Sequence, residues 1–405
     1  MKKFLLLSCA ALATVTANAQ DYKMANIDFG KTQSMAMKAI TPAPQRSNME
    51  ITPALKSAVK DMSAIKNKMA KAPALSNLDG DYIEHYLGTG YSQDYTFTQA
   101  GSVSTTTQDG KKYVQLVMAN GYATVVGEYD EAAGTITCGS QYVYEDTKNG
   151  WGRFVIYGID SEDKLTEDLS FTVDDNGVIT CDQAGFYIAM PEYEGGKYAW
   201  TLGYEWVISP VNGVHSFAVN QNNQGWKDIT DVPVSVDDAG FFVDVYNFLS
   251  MGYVSMDVND DCTVSMPVGQ PMIPCAYISQ SIDTSVYGEF FILYGTTSED
   301  GESWGLDLEA TDIKGKIEGN TLYFEQLFPV LTLLDEESAG YSMGWFGGVT
   351  ISLDKDFQIA AGIEDVNNTV ESKIKNAKTF NIMGQRVNSD AKGLIIRDGK
   401  KFLKK

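Results

Sequence analysis

Tyr113-Val114-Gln115-Leu116-Val117-Met118-Ala119-Asn120-Gly121-Tyr122-Ala123-Thr124-Val125-Val126-Gly127-Glu128-Tyr129 reads as two short strands around an Asn-Gly turn. Val, Tyr and Thr suit a pleated surface, and Asn-Gly supplies the positive φ angles of a tight hairpin. The same texture continues on both sides. Gly134 to Cys138, Arg153 to Tyr157 and Gly185 to Ala189 are further strand candidates, and Asp109-Gly110, Asn149-Gly150 and Asn176-Gly177 further turns. Close strand spacing without a helical pattern in between predicts an antiparallel β-meander.

The pattern occurs twice. Tyr113 to Val117, Gly121-Tyr122, Gly127 to Asp130 and Gly139-Ser140-Gln141 have later counterparts in Phe241 to Val245, Gly252-Tyr253, Met256-Asp257 and Val268-Gly269-Gln270. Gly152 to Gly158 then matches Gly288 to Gly295, and both are followed by Ser-Glu-Asp, at Ser161 to Asp163 and Ser298 to Asp300. Asn176-Gly177-Val178-Ile179-Thr180 resembles Gly319 to Tyr323. The offset is too long for a solenoid repeat and right for a duplicated domain. The expected fold is mainly β: two tandem related antiparallel meander modules, barrel-like or sandwich-like, over 76–200 and 201–362, and a small β-sandwich-like module over 366–405.

The 405 residues carry a net charge of -22, unevenly spread. Residues 1–72 hold 11 basic and 4 acidic side chains, and residues 371–405 hold 10 and 3. The body between them holds 46 acidic against 10 basic groups, which repels nucleic acid and anionic membranes. The chain opens with Lys2-Lys3, an apolar run from Phe4, and Ala17-Asn18-Ala19 before Gln20. This is the pattern of a signal peptide over 1–19, cleaved between Ala19 and Gln20, with lipidation at Cys9 a lesser alternative. No later stretch has the length and apolarity of a transmembrane helix. Residues 20–75 read as a Pro-containing linker. Within it Leu55, Val59, Met62, Ile65 and Met69 predict one helix from Pro53 to Met69.

Chemistry is sparse. No Gly-x-Ser-x-Gly elbow is present. His85 and His215, the two histidines, read as strand residues. Cys138, Cys181, Cys262 and Cys275 allow three disulfide pairings, with isolated buried thiols the alternative. Asp174 to Gly177, Asp257 to Asp261 and Ser298 to Glu302 cluster oxygens but lack the spacing and closing Glu of a calcium loop, so they read as Asx turns. No catalytic residue, metal site or cofactor is assigned. Trp151 and Trp226 follow turn-rich segments and are the candidate ligand contacts, since exposed aromatic faces stack on sugars. Trp200, Trp206 and Trp304 fall in strand candidates and read as core. The expected function is non-catalytic binding of a glycan or a partner protein. A carboxylate-based glycan hydrolase and a structural surface component stand as alternatives.

Two resemblances bear on destination. Gly80-Asp81-Tyr82, Gly127-Glu128-Tyr129-Asp130, Gly134-Thr135-Ile136-Thr137 and Gln141 resemble motifs of exported β-proteins of gut Bacteroidota, a group of unknown function. At the other end, Phe380-Asn381-Ile382-Met383-Gly384-Gln385-Arg386-Val387 resembles the Tyr-Asn-x-x-Gly-Gln-x-Val of type IX secretion sorting domains. Lys392-Gly393-Leu394-Ile395-Ile396 and the closing Lys400, Lys401, Lys404 and Lys405 continue the likeness. Asp390-Ala391 stands where that family has Pro, and Ile395 where it has Tyr. The resemblance implies Sec and type IX machinery as partners, and passage through the periplasm of a Gram-negative cell to its outer surface or the medium. A chain lacking Lys392 to Lys405 is then expected to accumulate in the periplasm. Cell fractionation checks this, and normal surface delivery of the truncated chain contradicts it.

Overall fold

The computed structural model describes residues 26–27, 33–34, 45–69, 78–118, 121–219, 226–236, 242–259, 263–301, 303–335, 338–353, 379–381, 386–387, 393–397 and 400–404. The segment expected to be a signal peptide, with Cys9, Ala19 and Gln20, lies outside these residues. So do Cys262, Gly384, Gln385, Asp398, Gly399 and Lys405.

Three short leader strands come first: β1 (Asn26–Ile27), β2 (Gln33–Ser34) and β3 (Gln45–Arg46). The helix expected over 53–69 is broken into α1 (Pro53–Ala58) and α2 (Ser63–Met69). The break lies at Val59 to Asp61. Val59 is extended at φ -61 and ψ 126, and the Asp61 carboxylate accepts from Ser63 N at 3.0 Å, as a new helix start does.

The first module comprises β4 (Gly80–Gly88), β5 (Tyr95–Gln108), β6 (Lys111–Met118), β7 (Ala123–Asp130), β8 (Thr135–Thr137), β9 (Gln141–Asp146), β10 (Gly152–Ile159), β11 (Leu165–Thr166), β12 (Ser170–Val173), β13 (Ile179–Cys181), β14 (Gly185–Ala189) and β15 (Tyr198–Pro210). Every expected strand is present, and β15 runs ten residues past position 200. Asp109 and Gly110, both at positive φ, form the tight turn between β5 and β6. Alternation fills the interior. Val114, Leu116 and Met118 of β6 and Val125 of β7 are buried in one core with Ile136, Phe171 and Trp206. Hydrogen bonding runs β4-β5-β6-β7-β8-β12-β13-β15 and returns from β15 to β4, closing an antiparallel barrel. From β15 the sheet also continues through β14 to β10, which pairs with β9 and β11.

The second module repeats this. Its elements are β16 (Gly213–Val219), β17 (Trp226–Val232), β18 (Val234–Val236), β19 (Phe242–Phe248), β20 (Gly252–Val258), β21 (Thr263–Pro267), β22 (Pro271–Pro274), α3 (Cys275–Ile278), α4 (Thr284–Tyr287), β23 (Phe290–Leu293), β24 (Gly295–Thr297), β25 (Ser303–Asp307), β26 (Asp312–Glu318), β27 (Thr321–Phe324), β28 (Phe328–Asp335) and β29 (Ser338–Leu353). The order β19-β20-β21-β26-β27-β29-β16-β17 matches β6-β7-β8-β12-β13-β15-β4-β5, pairing for pairing. The counterpart of β5 is split, because Pro233 cannot donate to a ladder and separates β17 from β18. Gly158 and Gly295 occupy equivalent places, and a Cβ at either would collide, with Asp168 O and with Ala310 Cβ.

One glutamine, buried in the first module and half-buried in the second, bridges a gap in each sheet. Gln141 is fully buried, and its amide pairs with the backbone of Val126 in β7: Val126 N donates to Oε1 at 2.9 Å, and Nε2 donates to Val126 O at 2.9 Å. Gln270 does the same to β20. Ser255 N donates to its Oε1 at 2.9 Å, and Nε2 donates to Ser255 O at 3.1 Å and Pro267 O at 2.7 Å. Each partner lies 15 residues upstream of its glutamine. The amide imitates a peptide unit where β9 and β22 diverge from the strand beside them.

An aromatic seam joins the modules. Tyr277 of α3 packs on Phe97, ring centroids 5.5 Å apart, and Phe290 on Tyr91 and Tyr95 at 4.8 and 5.2 Å. His85 stacks on Tyr246 at 3.8 Å, and Ser92 N donates to the Glu289 carboxylate at 2.7 Å. The C-terminal module is a four-stranded antiparallel sheet in the order β31-β30-β32-β33, from β30 (Thr379–Asn381), β31 (Arg386–Val387), β32 (Gly393–Arg397) and β33 (Lys400–Lys404). A β-module is expected over 366–405, and the described residues there are strands. Arg386 and Val387 lie in β31, Gly393 in β32, and Lys400, Lys401 and Lys404 in β33.

Candidate functional site

Among the described residues, no three His, Cys, Asp or Glu side chains are placed to hold a metal. Cys138, Cys181 and Cys275 are free and buried, and burial raises their thiols, those of Cys181 and Cys275 to about 12. That removes the thiolate a nucleophile needs. The acidic turns bind their own backbone. Asp174 Oδ1 accepts from Asn176 N and Val178 N, each at 2.8 Å, and Asp300 Oδ1 accepts from Ser303 N at 2.7 Å. Glu84 is sealed in the first barrel at 2% exposure, where Trp206 Nε1 donates to it at 3.2 Å.

Both histidines are buried strand residues. His85 Nε2 meets Ser209 Oγ at 2.9 Å. His215 Nδ1 accepts from Leu249 N at 3.3 Å, while its ring stacks on Phe248 at 4.7 Å. This bond braces a turn in which Leu249 and Ser250 hold φ of 56 and 57, angles disfavoured for a bulky side chain. Burial pulls both imidazoles down to about 3, so neither carries a proton near neutrality.

The surface feature with chemical content is aromatic and lies at one mouth of the first barrel. Three segments converge there: 121–122, 147–151 and 190–197. Trp151 is half-buried, with its ring 5.2 Å from that of fully buried Trp200. Tyr122, also half-buried, contacts Trp200 at 5.3 Å and Tyr144 at 5.2 Å, and Tyr144 leans on buried Phe154 at 5.3 Å. The result is a rim of three partly exposed rings on a floor of two buried ones. Asp146 fixes the rim turn, accepting from Asn149 N at 2.6 Å and from Asn149 Nδ2 at 2.9 Å. Beside it Arg153 pairs with Glu192 at 2.6 Å and lies over the Tyr142 ring at 4.7 Å. Trp200 Nε1, a buried donor, has no hydrogen-bond partner among the described residues. Comparisons with protein-family models, curated proteins and solved structures give no match.

The two modules differ at this place. In the second, the connection between β22 and β23 carries α3 and α4, and its Cys275, Ile278 and Ile282 are buried in that module's own core. The chain plugs there what the short 147–151 turn leaves open in the first. Trp151 is therefore brought into an aromatic group, whereas Trp226 begins strand β17, opposite Ala218, instead of lying in a loop. Trp200 and Trp206 are core, as their strand positions implied, and Trp304 packs partly buried against Leu327 and Trp345. Sequence reasoning missed Tyr122 and Tyr144 as rim residues. The signal was available for Tyr122, which follows an Asn-Gly turn as Trp151 does.

The histidines set a pH dependence. Their folded values near 3 lie below the ordinary 6.5, so the unfolded chain binds the extra protons between those limits. Stability is full above about pH 6.5 and falls as the pH drops toward 3. Urea midpoints are expected to decline from pH 6.5 to 5, before most carboxylates titrate, and His215→Gln is expected to flatten that decline. Equal slopes for parent and variant contradict the assignment.

Proposed function

We propose that this is an exported, non-catalytic binding protein whose first barrel holds a glycan against the aromatic rim of Tyr122, Tyr144 and Trp151. The observation that carries the reading is that rim: partly exposed rings braced from below by Trp200 and Phe154, in a module whose twin is plugged at the same place. Preordered rings lose little entropy on stacking, and the flat apolar faces of pyranose rings suit them. The Tyr144 hydroxyl supplies a polar group at the rings. Partial burial raises the Tyr144 phenol, which keeps it a hydrogen-bond donor at neutral pH.

Delivery belongs to the ends of the chain. A Sec signal peptide and a type IX sorting module carry the protein through the periplasm to the cell surface or beyond. The small basic sheet with the lysines of β33 and the acidic, soluble body are both in keeping with that route.

On a glycan array, the full chain is expected to retain at least one class of glycan. Trp151→Ala is expected to weaken that binding by roughly 3- to 10-fold, the loss of one stacking contact. Trp226→Ala tests the second tryptophan in parallel. A parent that retains no glycan overturns the reading, as does undiminished binding by Trp151→Ala.

A further inference from the structure

The leader is more than a tether. Strand β9 has six residues, and only one of its edges is paired along its length, with β10. Its other edge meets β7 through the Gln141 amide, and next to that contact it receives the leader. Lys60 N donates to Ser140 O at 2.9 Å, Tyr142 N donates to Lys60 O at 3.2 Å, and Lys66 Nζ donates to Val143 O at 3.4 Å. The leader also covers an apolar sheet face. Val155, Tyr157, Ile159 and Tyr187 are buried on the outside of β10 and β14, under Met49, Ile51, Leu55 and Val59. Upstream, β3 pairs antiparallel with the start of β15, and Ser47 N donates to Lys197 O at 3.3 Å.

We propose that the free edge of β9 and the outer face of β10, β14 and β15 form a peptide-docking surface, that its occupant is the chain's own leader, residues 45–66, and that this occupancy positions the aromatic rim. Three observations identify the occupant. The leader is basic and the body acidic, so the two attract. Helix α1 has six residues and none of them is buried, so it cannot be stable without the surface it rests on. The bonds at Lys60 come from its backbone, which is strand addition to a sheet edge. The path to the rim is short. The docked edge spans 140–143; Tyr144 is the next residue, and the turn held by Asp146 leads straight to Trp151. Lys60 is thus a positioning residue for the rim. The consequence for ligand binding rests on the glycan reading above, but the docking itself does not.

The test uses the full chain. Lys60→Pro deletes the N–H that donates to Ser140 O and imposes a ring at the bridge. Val59→Asp unseats the leader from the apolar face. Lys60→Ala keeps the backbone bonds and serves as the control. Hydrogen exchange followed by mass spectrometry reads the segment 141–151. Both disruptive variants are expected to exchange there about 10-fold faster than the parent, with Lys60→Ala and the second module unchanged. Glycan retention should fall in the same two variants. Unchanged exchange at 141–151 overturns the proposal, and so does equal loosening of both modules, which would make the leader a general stabiliser. Local loosening in a protein whose parent retains no glycan leaves the docking standing and removes the glycan reading.

Discussion

Each module of this protein depends on a carboxamide, buried at Gln141 and half-buried at Gln270, standing in for a peptide unit. A backbone N–H and C=O left unpaired in a protein interior cost roughly 1–3 kcal/mol each, so a sheet can diverge internally only where something else meets those groups. Gln141 meets them for Val126, and Gln270 for Ser255. The barrel wall can then fork. One branch continues through β8, β12 and β13, and the other through β9, β10 and β14. The fork makes the second branch an outer sheet, with a free edge on β9 and an apolar outer face, and these are the surfaces the leader covers.

With the same fork present twice, the differences between the copies carry the functional information. The first copy has a short turn at 147–151, and half-buried Trp151 lies at its end. The second has α3 and α4 at that place. They fill its own core and send Tyr277 into the seam against Phe97. The second module is thereby filled at this place, where the first has only a short turn. Tyr277 packs against both cores, and Phe290 is buried in the first module's core, so the seam is continuous with both.

Much of this was legible in the sequence. The strands, the Asp109-Gly110 turn and the duplication follow from period-two patterning and turn chemistry, and the matched pair Gln141 and Gln270 was visible as a correspondence. Their role was not, because a glutamine one or two residues after a glycine looks like any polar residue in a turn. The leader's single helix failed for a tertiary reason: the unpaired edge of β9 draws Lys60 into an extended bridge in mid-helix. The Leu249-Ser250 turn carries neither Asn nor Gly, and its support comes from His215, more than thirty residues away. Trp226 followed a run of Gln, Asn and Gly that promised a loop, yet it pairs with Ala218. In each case a distant partner overrode the local signal.

The account stands or falls on the two glutamines. Amide proton exchange measured by NMR on the Gln141 and Gln270 side chains tests it most directly. Both carboxamides are expected to exchange as slowly as the core backbone amides of β7 and β20, because each is released only when its barrel opens. Exchange at the rate of an exposed glutamine, at either position, would contradict it.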